Sequence, residues 1–242
     1  MPNLAVTALP AAVLGLSAGL YTYAGMWPTS QIFGATLQSG SDPNEIVLTY
    51  DDGPSPLHTP ELLDILAAQN ARATFFLMGN HVLRHPQLAR RIVEAGHLVG
   101  NHTQTHPNLF FSSLDRVRLE LDLCQSTIFD TTGVTPAFFR PPFGGRRPDV
   151  LKAAREIGLT PVLWNVTARD WVATHGPDKI LGYIDHGLAV NRRKGRASNI
   201  LLHDASHLDT LVESHSRKST LEVTRRLLAR PGLRFTTPEA WL

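Results

Sequence analysis

The chain has 242 residues, a formal net charge of +2 and one cysteine. This length suffices for one domain with a large core. The small charge excess gives no support for nucleic-acid binding, and a single cysteine excludes an intramolecular disulfide. That residue, Cys124, falls in a predicted helix, where we expect a packed thiol.

The first 41 residues carry no charged side chain. Residues 4–27 are mostly apolar and could span a bilayer as a helix, and Tyr21, Tyr23 and Trp27 at their end resemble an interfacial aromatic belt. The sequence lacks a basic leader and a clear cleavage site. We predict a hydrophobic anchor or signal segment at 1–27, with a helix packed on the domain as the alternative. A linker is predicted at 28–44.

From residue 45 onward, strand and helix patterns alternate. The predicted strands are 46–51, 73–77, 97–101, 137–140, 161–166, 199–203 and 233–236. The predicted helices are 59–69, 87–95, 114–132, 148–157, 177–186 and 219–229. In the third of these helices, Leu119, Leu123 and Ile128 are expected to face inward. The alternation predicts an α/β fold with a parallel sheet, as a barrel or an open sheet.

Two adjacent carboxylates, Asp51 and Asp52, end the first predicted strand, in the stretch Thr49-Tyr50-Asp51-Asp52-Gly53-Pro54. If buried, they repel each other unless a cation or a shared proton offsets the charge. The same stretch taken alone is equally typical of a turn, because Asp, Gly and Pro are turn formers.

Two histidines, His102 and His106, follow the third predicted strand. Their spacing predicts two imidazoles on one face of a helical turn. One Asp and two His form a common ligand set for catalytic zinc, with one position left open. A second carboxylate is then available as a base. Taken alone, a His-x-x-x-His pair is more often two unrelated surface histidines.

Three later segments follow apolar runs: Arg140-Pro141-Pro142-Phe143-Gly144, Arg169-Asp170-Trp171 and Leu201-Leu202-His203-Asp204. With the carboxylate and histidine pairs they resemble, in order, the five motifs of the polysaccharide deacetylase family. This family is also called the NodB-homology domain or carbohydrate esterase family 4. The resemblance implies a distorted (β/α) barrel of about seven strands and a catalytic domain at 45–242. Asn165 stands where many members have Asp, which leaves the substrate subclass open.

The resemblance implies metal ligation by Asp52, His102 and His106. The implied cofactor is one divalent ion, with zinc as the first choice and Co²⁺ or Mn²⁺ as alternatives. Such an ion lowers the pKa of its bound water and polarises the substrate carbonyl. The other histidines, His207 among them, have no match in the motifs. We interpret them as surface, loop or locally hydrogen-bonded groups.

The remaining motif positions have implied roles in acid–base chemistry. Asp51 would be the general base, held by an ion pair with Arg140. The backbone N–H of Phe143 would share the oxyanion with the metal. His203 would be the general acid, and Asp170 would orient it and raise its pKa.

Trp171 and Leu201 would form the wall of the pocket for the acetyl methyl group. The alternative for both is ordinary core packing, which is common for these residue types.

The implied activity is that of a metal-dependent hydrolase that removes acetyl groups from a carbohydrate polymer. N-deacetylation of N-acetylglucosamine units in peptidoglycan or chitin-like glycans is the first choice. The alternatives are an O-acetyl xylan esterase, an amidohydrolase for small amides and a carbohydrate-binding pseudoenzyme. The complete set of acid, base and ligands argues against the last.

We expect an acetylated polysaccharide as partner, no nucleic acid, and membrane contact through the N-terminal segment. The expected location is membrane-anchored or exported, with the catalytic domain in the periplasm or at the cell surface.

Overall fold

The computed structural model describes residues 17–208 and 216–242. Most of the predicted anchor, residues 1–16, lies outside the described residues. Among the described helices, none has the length and apolar character needed to cross a membrane. The first helix, α1, covers residues 17–26. The later helices are α2 (Thr59–Ala67), α3 (Gly79–Arg84), α4 (Pro86–Glu94), α5 (Leu114–Thr132), α6 (Pro148–Glu156), α7 (Pro177–Arg193) and α8 (Lys218–Leu228).

The strands form one parallel sheet. They are β1 (Glu45–Asp51), β2 (Thr74–Leu77), β3 (Leu98–Asn101), β4 (Phe138–Phe139), β5 (Thr160–Pro161), β6 (Val166–Thr167), β7 (Ser198–His203) and β8 (Arg234–Thr236). The strand order is β5-β4-β3-β2-β1-β7-β6, and β8 pairs with the beginning of β1. Seven of these parallel strands form a curled half-barrel with helices, which confirms the predicted distorted (β/α) barrel.

The main hydrophobic core lies between β1 and the helices that cover it. Ile46, Leu48 and Tyr50 alternate along β1 and pack with apolar residues of α2, α8 and β2. Because alternate residues of a strand point to opposite faces, Val47 and Thr49 lie on the other side of the sheet. β1 is therefore buried on both faces, as expected of a central parallel strand.

Parallel pairing brings the ends of the strands to one edge of the sheet. In the β1–β7 register, Asp51 lies opposite His203, and in the β1–β2 register it lies opposite Phe76. His102 directly follows β3, and Arg140 directly follows β4. The fold thus places four of the five predicted motifs at the ends of adjoining strands, and β6 leads into the fifth.

Some predicted element boundaries were wrong. The helix predicted at 177–186 continues to Arg193, and its last turn carries Arg192 and Arg193. Positive side chains there are favoured by the helix dipole. Gly187, directly after the predicted end, permits close packing, since a Cβ at this position would lie 2.7 Å from the Val166 side chain. The single strand predicted at 161–166 is two short strands, β5 and β6, and α3 was not predicted.

The inward face of α5 also differs from the prediction. Leu119 and Leu123 are about half exposed, whereas Val117, Leu121 and Ile128 are buried. Glu120 is buried as well, because its carboxylate accepts bonds from the backbone N–H and the hydroxyl of Thr105. Cys124 is buried, as predicted for a packed thiol, and burial raises its pKa to about 12.

The residues predicted as a linker contact the domain at specific points. Leu37 forms a parallel bridge with Val162, and the backbone N–H of Leu37 donates to the Pro161 carbonyl at 2.8 Å. Buried Arg146 donates from its guanidinium to the carbonyls of Gly25, Trp27 and Ser30, and also to that of Gly144. Residues 25–30 are therefore tied to the loop that follows β4. The division of the chain at residues 27 and 44 stays a prediction.

Candidate active site

A cavity of about 470 Å³ lies at the carboxyl ends of the strands. Most of the predicted site residues line it: Asp51, Asp52, His102, His106, Phe143, Trp171, Leu201 and His203. The two remaining predicted residues lie behind this wall, where Arg140 contacts Asp51 and Asp170 contacts His203. The structure therefore brings all the predicted site residues together.

The predicted metal ligands converge on one oxygen atom. Asp52 Oδ1 lies 3.4 Å from His102 Nε2 and 3.3 Å from His106 Nε2. Two ligands of a tetrahedral zinc ion, each about 2.1 Å from the metal, lie about 3.4 Å apart. Within the described part of the chain, buried Asp52 Oδ1 has no hydrogen-bond partner. These donors and their spacing fit a divalent ion.

The hydrogen bond of one histidine and the pKa of the other also suit metal binding. The Nδ1 of His102 donates to the Arg140 carbonyl at 2.8 Å, which leaves Nε2 as the ligand atom. Burial lowers the pKa of His106 to about 3, so its imidazole is neutral over the ordinary pH range. Burial alone would raise the pKa of Asp52, but the neighbouring imidazoles of His102, His207 and His106 hold it well below its usual value.

The histidine pair does not lie on a helical turn, which corrects the prediction. Residues 102–107 contain no helix, and Thr103 and His106 adopt left-handed backbone angles, with φ of 68° and 61°. Side chains stabilise this turn: Asn101 Oδ1 accepts from the Thr103 N–H, and Thr103 Oγ1 accepts from the His106 N–H. A strained loop, not helical periodicity, brings the two imidazoles together.

Asp51 is held by a buried arginine. Arg140 donates from Nη1 to Asp51 Oδ1 at 2.8 Å and to Thr49 Oγ1 at 2.7 Å. The guanidinium also lies over the Phe76 ring, 4.2 Å from its centroid. Such a buried charge-assisted bond fixes the orientation of the carboxylate. The other oxygen of Asp51, Oδ2, lies 3.8 Å from His102 Nε2.

His203 forms a second buried pair, with Asp170. Its Nδ1 donates to Asp170 Oδ1 at 2.9 Å, and its backbone N–H donates to Asp170 Oδ2 at 2.8 Å. Thr220 donates from its hydroxyl to the same Oδ2. Burial lowers the pKa of His203, but the charge and hydrogen bond of Asp170 outweigh it, and the net direction is upward. The ring is therefore held as an imidazolium to higher pH than usual.

Three residues give the cavity apolar walls. Phe143 has a φ of 57°, and its half-exposed ring lies 4.7 Å from that of His106. Trp171 is also about half exposed, with its ring 5.3 Å from His203. Leu201 is buried against Leu163 and Trp164. Leu201 is thus both core and cavity wall, so the two alternatives considered for it are compatible.

Further residues line the cavity that the sequence analysis did not select: Trp164, Ser206, His207, Leu208 and Arg217. For His207 a signal existed, because it follows His203 at the same four-residue spacing as the first histidine pair. Its ring stacks on His106 at 4.4 Å, and its ligand atom groups with those of Asp52 and His106 within 4.8 Å. For the other four residues, the sequence does not indicate that their side chains point toward the cavity.

Asp204 directly follows His203 and completes the fifth motif. It is fully buried, accepts a hydrogen bond from Thr59, and would contact any side chain larger than a hydrogen at Gly53. Burial raises its pKa to about 7, and the negative charge of Asp52 acts in the same direction. A neutral carboxyl can lie beside Asp52 at neutral pH, where a third carboxylate would be repelled.

Comparison with known proteins identifies the family. The model of the family described as polysaccharide deacetylase matches residues 38–162. The chain belongs to this family. It is therefore a deacetylase, as the order of its motifs implied.

Three similar proteins illustrate the relationship. A chitooligosaccharide deacetylase of Rhizobium leguminosarum bv. trifolii is 37% identical over 174 residues, which cover 72% of this chain and 78% of the relative. A peptidoglycan-N-acetylglucosamine deacetylase of Bacillus cereus is 35% identical over 198 residues, with coverage of 79% and 85%. The crystal structure of the Bc1960 peptidoglycan N-acetylglucosamine deacetylase superimposes with a TM-score of 0.71 at 30% identity, covering 85% of this chain and 91% of that one.

Proposed function

We propose that this deacetylase hydrolyses the N-acetyl groups of N-acetylglucosamine units in peptidoglycan or a chitin-like glycan. Two observations support this choice of substrate. Relatives that match most of the chain are deacetylases of these two polymers. The cavity is open and carries half-exposed aromatic rings at Phe143 and Trp171, which suit the apolar faces of sugar rings.

Asp52, His102 and His106 would hold the implied cofactor, a divalent ion with zinc as the first choice. Such an ion would supply a Lewis acid for the acetyl carbonyl. The fit of the donor set rests on the 3.3 and 3.4 Å separations between Asp52 Oδ1 and the two imidazole nitrogens. Cobalt and manganese are the alternatives, because carboxylate and imidazole ligands suit several first-row metals.

The chain's own residues divide the proton transfers between them. Asp51, oriented by Arg140, accepts a proton from the attacking water. The backbone N–H of Phe143 donates to the oxygen on which negative charge develops. His203, kept charged by Asp170, gives its proton to the leaving amine as the carbon–nitrogen bond breaks. The products are acetate and a glucosamine unit, and the proton taken by Asp51 returns to His203 through solvent.

One observation carries this proposal: a carboxylate paired with a buried arginine and a histidine paired with a buried carboxylate face the same cavity as the Asp–His–His cluster. The experiment measures acetate release from chitin oligomers, peptidoglycan and acetylated xylan, before and after chelation and metal return. We expect release from the N-acetylglucosamine polymers, loss on chelation and recovery with Zn²⁺ or Co²⁺. Preference for xylan would favour the O-acetyl esterase alternative instead.

We also propose that the enzyme acts outside the cytoplasm on the surface of a membrane. The uncharged first 41 residues and the exposed aromatic rings of Tyr21, Tyr23 and Trp27 support this location. Fractionation of the full chain and of a chain that begins at Ser17 tests it. We expect the full chain in the membrane fraction and the shorter chain in the supernatant. Equal distribution of the two would contradict membrane contact through residues 1–16.

A further inference from the structure

We propose that His207 is a fourth protein ligand of the metal, added to Asp52, His102 and His106. This inference rests on the proposed function, because it concerns the same ion. The three-residue set leaves one position for water or substrate. His207 would occupy that position while no substrate is bound and would give it up to the substrate.

The position of His207 relative to Asp52 is fixed by the backbone. Its N–H donates to Asp52 Oδ2 at 3.2 Å, and its Nδ1 lies 3.6 Å from the same oxygen. Asp52 thus uses Oδ2 to hold the backbone of residue 207, while Oδ1 faces His102 and His106. The Ser206 hydroxyl, which accepts from the Leu208 N–H, stabilises the turn that carries the ring.

The ring of His207 lies beside the ring of the proposed ligand His106. It stacks on His106 with a centroid distance of 4.4 Å and an interplanar angle of 18°, and it meets Phe143 edge-on at 5.5 Å. Each of Asp52, His106 and His207 offers a ligand atom within 4.8 Å of the other two. Imidazole nitrogens are ligands that suit zinc and cobalt.

A ligand that the substrate displaces must be able to move away from the ion. About a third of the His207 side chain is exposed, whereas those of His102 and His106 are almost fully buried. Movement of this partly exposed ring would disturb the core less than movement of either buried ring. Phe143, which contacts the His207 ring, and Leu208, the next residue in the chain, also line the cavity. Substrate that fills the cavity would displace His207 from the ion.

The test uses metal binding without substrate. Apo-protein is titrated with Co²⁺ and with Zn²⁺ against a competing chelator, and X-ray absorption of the zinc form counts the imidazole ligands. His207→Phe keeps a ring beside His106 but removes both nitrogen donors. We expect a rise in Kd of about tenfold or more, a changed visible spectrum of the cobalt form, and three imidazoles becoming two. His207→Gln is a second variant, in case the phenylalanine does not fit.

Two controls separate the possible failures. His186→Ala removes an exposed histidine on α7, away from the cavity, and should leave affinity, spectrum and imidazole count unchanged. His102→Ala should lose the metal, and if it does not, the metal site of the proposed function is wrong. If His102→Ala loses the metal while both His207 variants bind it as the parent does, His207 is not a ligand. A higher KM with unchanged metal affinity would then assign it to substrate binding only.

Discussion

Two histidines of the cavity each face a buried aspartate, yet their pKa values are displaced in opposite directions. The pKa of His203, beside Asp170, is raised, whereas that of His106, beside Asp52, is lowered to about 3. At His203 the carboxylate bonds directly to Nδ1 at 2.9 Å, and this contact outweighs burial. At His106 the separation is 3.3 Å, and burial and neighbouring histidines dominate.

This difference teaches that a carboxylate beside a histidine does not by itself determine the protonation of the ring. Asp170 serves one histidine, and its oxygens also accept bonds from Thr220 and the His203 backbone. Asp52 lies beside His102, His106 and His207, and the positive charges of the other histidines oppose its effect on the pKa of His106. The first arrangement favours the protonated ring of His203, and the second favours the neutral ring of His106.

The largest effect is expected from separating the two carboxylates of the first motif. Asp51→Asn should retain the metal and lose turnover by about 10²- to 10⁴-fold, because only the proton acceptor is removed. Asp52→Asn should lose metal affinity itself, since Asp52 Oδ1 is the proposed ligand atom that His102 and His106 both approach. Metal content by elemental analysis and acetate release measure both. The opposite pattern, with metal lost from Asp51→Asn alone, would reverse the two roles.

His203→Ala should produce the next largest effect, and the effect should depend on the leaving group. On an N-acetylated amino sugar we expect a loss of about 10²-fold or more, because the amine needs a proton to leave. On an aryl acetate, whose phenolate leaves unprotonated, the loss should be less than about tenfold. Parallel turnover assays measure the ratio. Equal losses on the two substrates would assign His203 to the oxyanion or to the structure.

Asp170→Asn tests the raised pKa. With Asp170 present, the imidazolium persists above its ordinary pKa, and activity falls as pH rises through the raised value. Without the Asp170 charge, burial is opposed only by the smaller effects of Asp52 and Asp51, so the pKa of His203 and the alkaline limb of the pH–rate profile should move to lower pH. Turnover should fall by about tenfold or more, with metal content unchanged. An alkaline limb that stays in place would mean that another group sets it.

Thr220→Val should give the smallest effect and separate charge from orientation. It removes the hydroxyl bond to Asp170 Oδ2 but leaves the Asp170 charge and the His203 contact. We expect turnover to fall by about two- to tenfold, as for the loss of one buried hydrogen bond. The alkaline limb should remain near its position in the parent enzyme. A displacement as large as in Asp170→Asn would show that the hydroxyl, not the charge alone, maintains the raised pKa.

Much of the site could be predicted because its residues lie at strand ends. The alternation of strand and helix patterns along the chain located β1 and β7. Parallel pairing of these two strands then brings Asp51 opposite His203. The contacts of Arg140 with Asp51 and of Asp170 with His203 also follow the expectation from the motifs. Sequence spacing sufficed here, since a strand of known direction fixes where its last side chain lies.

Other features depend on tertiary contacts that spacing does not encode. The turn that brings His102 and His106 together relies on left-handed residues and on Asn101, so helical periodicity gave the wrong local structure. On α5 the buried stripe includes Glu120, whose partner Thr105 lies in that same turn. Polarity alone does not predict the burial of Glu120, and the predicted inward face included the exposed residues Leu119 and Leu123 instead. The position of His207 likewise depends on a backbone bond to Asp52.

The buried guanidinium of Arg146 has a mechanical consequence. It joins the carbonyls of Gly25, Trp27 and Ser30 to that of Gly144, the residue next to Phe143. A pull on α1 would therefore be transmitted through these hydrogen bonds to the loop that carries Phe143, without the slack of a flexible tether. The same bonds limit how far the entrance of the cavity can turn relative to α1. A surface that held this helix would thereby restrict the angle from which a polymer strand approaches the cavity.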